Sequence, residues 1–191
     1  MALRYAVLAA LLDGEKTGYD LARAFDVSVA NFWHALPQQI YTELTRLEDD
    51  GLVEGRTVVQ ETRPNKRLFT LTPAGRQHLT SWIATPPRTN SLKDDVLVRV
   101  FAAEASDLPA LCTLLETSKQ VHLEKLARYR VIERALLQGR TEQEFLRTSS
   151  RAGPYITLQR GIRYEIENAA WCEWAARALR VRAGREGSGP T

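Results

Sequence analysis

The segment from Pro37 to Val53, Pro-Gln-Gln-Ile-Tyr-Thr-Glu-Leu-Thr-Arg-Leu-Glu-Asp-Asp-Gly-Leu-Val, constrains the fold more than any other stretch of the chain. Proline suits the first turn of a helix, where its missing N–H costs nothing, and Ile40, Leu44 and Leu47 then recur at helical spacing. Gly51 stops the helix, and Leu52 and Val53 open a β-prone run. Gln38, Thr42, Thr45 and Arg46 take the side opposite the apolar stripe. That side carries the chemistry that reads base edges: glutamine can bond adenine twice, threonine offers a hydroxyl or a methyl, and arginine grips guanine or a phosphate. Glu48, Asp49 and Asp50 oppose the helix dipole at the other end and would repel a duplex. The N-terminal half of the helix is therefore the part suited to a groove.

The flanking segments give this helix a context. Residues 2 to 12 predict an apolar helix and Gly14 to Lys16 a turn. Thr17 with Asp20 marks the start of a second helix, whose buried face is Leu21, Ala22 and Phe25. The interval from Val27 to Leu36 is longer than the tightest helix-turn-helix connection. After Gly51, Leu52 to Val59 and Lys66 to Thr72 read as two strands around a loop with Pro64 and Asn65. A hairpin directly after a polar-faced helix is the layout of a winged helix, and Arg63, Lys66 and Arg67 at its tip suit phosphates or a minor groove. Thr72 predicts an N-cap and Pro73 a first helical position for a helix through Leu79 and Ile83, ended by Pro86 and Pro87.

The remainder has no strand pattern. A helix from about Leu92 to Ala103 leads to Ser106-Asp107-Leu108-Pro109, a helix start. Leu108, Leu111, Leu115, Leu126, Tyr129, Ile132 and Leu136 then keep helical phase over roughly 30 residues, or about 45 Å. The last helix, about Tyr155 to Arg182, carries two apolar stripes. One is Tyr155, Leu158, Ile162, Ile166, Ala169, Cys172, Ala176 and Leu179; the other is Tyr164, Trp171, Trp174, Ala178 and Val181. A helix apolar on two sides needs two partners, one being the long helix and the other a second subunit. The expected organisation is a reader over 1–85, a linker over 86–91, a helical dimerisation domain over 92–182 and a disordered tail over 183–191. The fold class is thus mainly α, a winged helix-turn-helix with a two-stranded wing followed by a coiled-coil-like helical domain.

Composition narrows the function classes. A chain of 191 residues with 44% hydrophobic residues can bury a core, while a formal charge of +3 and a pI near 9.0 make any nucleic-acid footprint local. The apolar start is broken by Arg4 and ends in Asp13-Gly14-Glu15-Lys16, unlike a signal peptide, and the expected location is cytoplasmic. Cys112 and Cys172 lack CxxC spacing and read as buried thiols. His34, His78 and His122 fall on separate helices without metal-ligand spacing. No GxSxG, phosphate loop or GxGxxG occurs, and Glu165 and Glu167 face different sides of a helix. An enzyme, a metal and a cofactor are not expected.

Thr17-Gly18-Tyr19-Asp20-Leu21, the block from Gln39-Ile40-Tyr41 through Leu44, Leu47 and Glu48 to Gly51-Leu52-Val53, and Arg67-Leu68-Phe69-Thr70-Leu71-Thr72-Pro73-Ala74-Gly75 together resemble the PadR family of bacterial transcriptional regulators. The second half, with Leu92-Lys93-Asp94-Asp95 and Val100-Phe101-Ala102, is similar to the helical C-terminal domain of the larger PadR subgroup. Thr42 departs from the proline that many members carry after the tyrosine. The resemblance implies a homodimer with embracing C-terminal helices that binds an inverted repeat, usually as a repressor.

The residues expected to meet double-stranded DNA are Tyr19, Gln38, Gln39, Tyr41, Thr42, Arg46, Arg63, Lys66 and Arg67. Tyr41 has a second reading as a packing residue at the helix edge. Tyr164, Trp171, Trp174, Ala178 and Val181 are the expected dimer surface. Trp33, Trp82, Trp171 and Trp174 are candidates for stacking a small aromatic effector, against the plainer reading of core or dimer residues. The alternative function is a winged-helix protein-interaction module that binds no DNA.

Overall fold

A computed structural model describes residues 2–25, 35–61, 65–87, 93–105 and 107–186 of the chain. They fall into two compact units, Met1–Thr89 and Asn90–Thr191, each with its own core.

In the first unit, α1 (Ala2–Ala10) is followed by β1 (Lys16–Thr17), α2 (Gly18–Ala24), α3 (Pro37–Asp49), β2 (Val53–Val58), β3 (Lys66–Leu71) and α4 (Pro73–Ile83). The sequence signals account for most of these boundaries. Thr17 caps α2 by accepting the Asp20 N–H at 3.0 Å, while the Asp20 carboxylate accepts from the Thr17 hydroxyl and N–H, a complete capping box. Thr72 caps α4 by accepting from Gly75 N–H, with Pro73 in the first turn. Its hydroxyl also reaches the Gly51 and Leu52 carbonyls, at 2.8 and 3.1 Å, tying the end of the hairpin to the end of α3.

The expected turn at Gly14 to Lys16 needs correction at its end. Lys16 and Thr17 pair antiparallel with Phe69 and Leu68, so the hairpin is part of a three-stranded sheet in the order β1-β3-β2. Two ladder positions leave no periodicity to detect. In the β2–β3 register, Val53 faces Leu71, Gly55 faces Phe69, Thr57 faces Arg67 and Val58 faces Lys66. Alternation puts Val53, Phe69 and Leu71 on one sheet face, which closes over the apolar stripe of α3. There Ile40, Leu44 and Leu47 are buried with Val7, Leu8, Leu21, Phe25 and Leu79 in a single core.

The second unit contains α5 (Asp95–Phe101), a short 3-10 turn over Ala103–Ala105, α6 (Leu108–Leu137), α7 (Glu142–Thr148) and α8 (Ala152–Glu186). Asp94 caps α5 through Val96 and Leu97 N–H, so that helix starts later than the sequence suggested. Asp107 caps α6, with Pro109 in its first turn. The 30-residue α6 and the 35-residue α8 pack along each other, α8 starting three residues earlier and ending four residues later than expected. Their shared core is Leu115, Cys172, Ala175 and Ala176, with Val96 and Val100 of α5 against it. The small alanines let the helices approach closely. Helix α7 was not anticipated; Thr141 and Glu144 form its capping box, and its Phe145 is buried against Tyr155 under the Arg140 guanidinium.

Both cysteines are buried free thiols. Burial beside Asp94 pushes the Cys172 thiol above its ordinary pKa. Glu165 is buried and pairs with His122 Nδ1 at 2.5 Å across the α6–α8 seam, whereas Glu167 is exposed, so the two carboxylates do face different ways. Ile166, assigned by spacing to the inward stripe of α8, is instead 43% exposed. The interior place in that turn goes to Glu165, whose carboxyl is hydrogen-bonded to His122. No described helix is long and apolar enough to cross a membrane.

Candidate nucleic-acid interface

The outward face of α3 is built by the burial of its opposite face. With Ile40, Leu44 and Leu47 locked in the core, helical geometry leaves Gln38, Thr42, Thr45 and Arg46 in solvent. Thr42 and Thr45 donate their hydroxyls to the carbonyls one turn back, at Gln38 and Tyr41, which leaves their methyls outward. Arg46 is two-thirds exposed, with only a long 3.8 Å contact to Glu43. Gln38, Gln39, Thr42 and Arg46 line a recess of about 290 Å³ together with Leu3 of α1 and Glu43.

Gln39 is partly committed. Its Oε1 accepts the Leu36 N–H at 2.9 Å at the open end of α3. That serves a helix whose N-cap, Leu36, has no polar side chain of its own. Tyr41 lies across the start of α2: a Cβ on Gly18 would sit 2.3 Å from its ring, so only glycine permits the approach. The ring thus packs while remaining 45% exposed, which joins the two readings of this residue. Tyr19, on the next position of α2, is 67% exposed.

Glu43, Glu48 and Asp50 are paired with cations of neighbouring elements, a pattern the sequence did not reveal. Arg4 of α1 donates to both Glu43 and Asp50, and Glu48 binds Arg67 of β3. Of the carboxylates at the end of α3, Glu48 and Asp50 are thereby held by neighbouring cations, while Asp49 stays exposed at the C-terminal end. Lys66 is exposed on the sheet face opposite Arg67 and is near enough to Asp20 to help hold that carboxyl below its ordinary pKa, after the larger effect of the Thr17 hydroxyl. Arg63 and Trp33 lie outside the described residues.

The profile of the transcriptional regulator PadR-like family matches residues 7–81, and that of the virulence activator alpha C-terminal domain matches residues 92–180. A probable transcriptional regulator of Mycobacterium tuberculosis is 32% identical over 95% of this chain and all of its own length. The chain belongs to the PadR-like family. The negative transcriptional regulator PadR of Bacillus subtilis is 30% identical over 90% of the chain and 93% of its own length. The crystal structure of that PadR in complex with operator DNA superposes with a TM-score of 0.80, at 27% identity over 94% of this chain and 99% of that one. Its complex with p-coumaric acid gives a TM-score of 0.74 at 25% identity and the same coverage. The winged helix and the long C-terminal helices are therefore those of PadR-like transcriptional regulators, a family whose members are not enzymes.

The remaining expected residues separate by unit. Trp82 stacks on Tyr5 with ring centres 4.1 Å apart and planes within 5°, in the first unit. In the second, Trp171 packs beside the Leu115 and Cys172 cluster, while Trp174 and Val181 are about two-thirds exposed and Tyr164 and Ala178 are also exposed. A recess of about 280 Å³ between the ends of α6 and α8 is lined by Leu108, Pro109, Cys112, Thr113, Glu116 and Arg180, none of them a tryptophan.

Proposed function

We propose that the chain is a homodimeric repressor that binds an inverted-repeat operator, inserting the N-terminal half of α3 into the major groove and laying the wing on the flanking backbone. The observation that carries this is the outward face of α3, where Gln38, Thr42 and Arg46 stand side by side while Glu43, Glu48 and Asp50 are held by Arg4 and Arg67 and the exposed Asp49 lies at the far, C-terminal end. Gln38, Thr42 and Arg46 are the base-edge and adjacent phosphate contacts, with Gln39 beside them free to offer only its amide N–H while its oxygen serves the cap; Tyr19, Tyr41 and Lys66, with Arg63, meet the backbone. Likeness to the Bacillus subtilis PadR structure with operator DNA supports this placement.

The dimer forms through the stripe of α8 made by Tyr164, Trp171, Trp174, Ala178 and Val181, of which all but the half-buried Trp171 are exposed after α6 has packed. A small aromatic effector releases the operator by favouring a dimer whose two α3 helices no longer lie about 34 to 36 Å apart. Trp33, Trp82, Trp171 and Trp174 are its candidate stacking groups, and the p-coumaric acid complex of the Bacillus subtilis protein is consistent with an aromatic ligand.

Selection of bound duplexes from a random pool tests the reading, with enrichment of an inverted repeat as the expected result. On the selected duplex, about three to four cations per subunit imply a log–log salt slope near −6, at about −0.9 per phosphate, and a slope flatter than about −2 would sink the proposal.

A further inference from the structure

Arg67 stands near the tip of the wing, where the sequence groups it with phosphate-binding cations, yet its guanidinium, though half-exposed, is turned toward the last turn of α3. Its Nη2 donates to both carboxylate oxygens of Glu48, at 2.7 and 2.8 Å. The same Oε1 of Glu48 accepts the Gly55 N–H at 3.0 Å. The guanidinium carbon lies 5.6 Å from the centre of the Phe69 ring. Strand alternation explains the arrangement. Because Arg67 pairs with Thr57 and Phe69 with Gly55, all four occupy the sheet face that closes over α3, while Lys66, paired with Val58, points the opposite way. Gly55 leaves room for the pinch: a Cβ on residue 55 would sit 2.5 Å from Glu48 Oε1 and 2.6 Å from Arg67 Nε, so both side chains would have to move.

We propose that Glu48, Arg67 and Gly55 form a clamp that sets the angle of the wing against the last turn of α3. Arg67 is then a positioning residue, and the phosphate contact of β3 falls to Lys66. This rests on the DNA-reading function proposed above, and it removes Arg67 from the cations that displace counterions. A guanidinium already bound by a carboxylate releases few ions when DNA arrives, whereas a solvated lysine releases nearly one.

The test is fluorescence anisotropy on the selected duplex over a salt series. Arg67→Met is expected to weaken binding by up to roughly fivefold, the range of a part-exposed ion pair, along a line parallel to wild type. Lys66→Met should instead flatten the slope by about 1.8 for the dimer. Gly55→Ala removes no cation but displaces the carboxylate, and it should reproduce the Arg67→Met loss at unchanged slope. In the Glu48→Gln background, Arg67→Met should cost nothing more. Hydroxyl-radical footprints of these clamp variants should lose protection at the outer edges, where the wing lies, and keep it at the centre of each half-site. The clamp is overturned if Arg67→Met flattens the slope as Lys66→Met does, if Gly55→Ala binds like wild type, or if Arg67→Met costs as much with Glu48→Gln as without it. Without DNA, the Gly55 amide should exchange faster in Glu48→Gln. Failure of wild type to bind any duplex would defeat the proposed function, and the exchange comparison would still decide the clamp.

Discussion

Gln38 and Gln39 are adjacent and chemically identical, but the fold gives them unequal hydrogen-bonding capacity. A bidentate grip on adenine uses the amide oxygen and nitrogen together. Gln39 has already given its oxygen to the Leu36 N–H, whereas the Gln38 amide, on the exposed face, has no hydrogen-bond partner among the described residues. Gln38→Ala should therefore relax preference at one operator position, by about 1–3 kcal/mol between bases. Gln39→Ala should mainly lower helix stability, by about 0.5–1 kcal/mol, as expected for a lost cap interaction. Competition binding across single-base variants of the operator, paired with urea unfolding, separates the two. Equal loss of base preference in both variants would show that Gln39 abandons the cap on binding.

The elements are set by short-range signals that titrate or break individually. Hydrogen bonds from the Thr17 hydroxyl and backbone hold the Asp20 carboxyl below its ordinary value of 3.8. A depressed acid stabilises the fold fully above that value and loses its contribution as pH falls through the lower folded one. Wild type should lose more stability than Asp20→Asn between about pH 5 and pH 2, read as the shift in urea midpoint. The capping pairs at Thr17 and Asp20, Thr72 and Pro73, and Asp107 and Pro109 were all legible in the sequence, because a cap acts within a few residues. So was the stripe of Ile40, Leu44 and Leu47. Strand β1 was not, since two residues carry no alternation, and neither was α7, whose seven residues contribute one buried ring. The Glu48–Arg67 and Arg4–Asp50 pairs span 19 and 46 positions, and nothing in either neighbourhood announces the other. On α8, spacing alone placed Ile166 inward, because a hydropathy pattern cannot foresee that a histidine on another helix will accommodate Glu165.

At the scale of the whole molecule, the surplus apolar surface of α8 is the feature that isolated packing leaves unexplained. In the proposed dimer, a second copy covers Trp174, which is 60% exposed, and Val181, outward two turns later. Trp174→Asp is expected to give a monomer by sedimentation with helix content retained, since Trp174 is not part of the α6–α8 core. Operator affinity should fall by more than about 100-fold, because two linked half-sites bind with far higher effective concentration than one. A dimer that survives the substitution would place the interface elsewhere.

The 30 residues of α6 also have a mechanical meaning. A rigid rod about 45 Å long that tilts by about 5° carries its far end through about 4 Å, more than the separation any hydrogen bond tolerates. Paired along its length with α8, this helix is a lever arm. A slight reseating at one end, of the size a side-chain rotamer change could cause, is a displacement at the other end longer than a hydrogen bond.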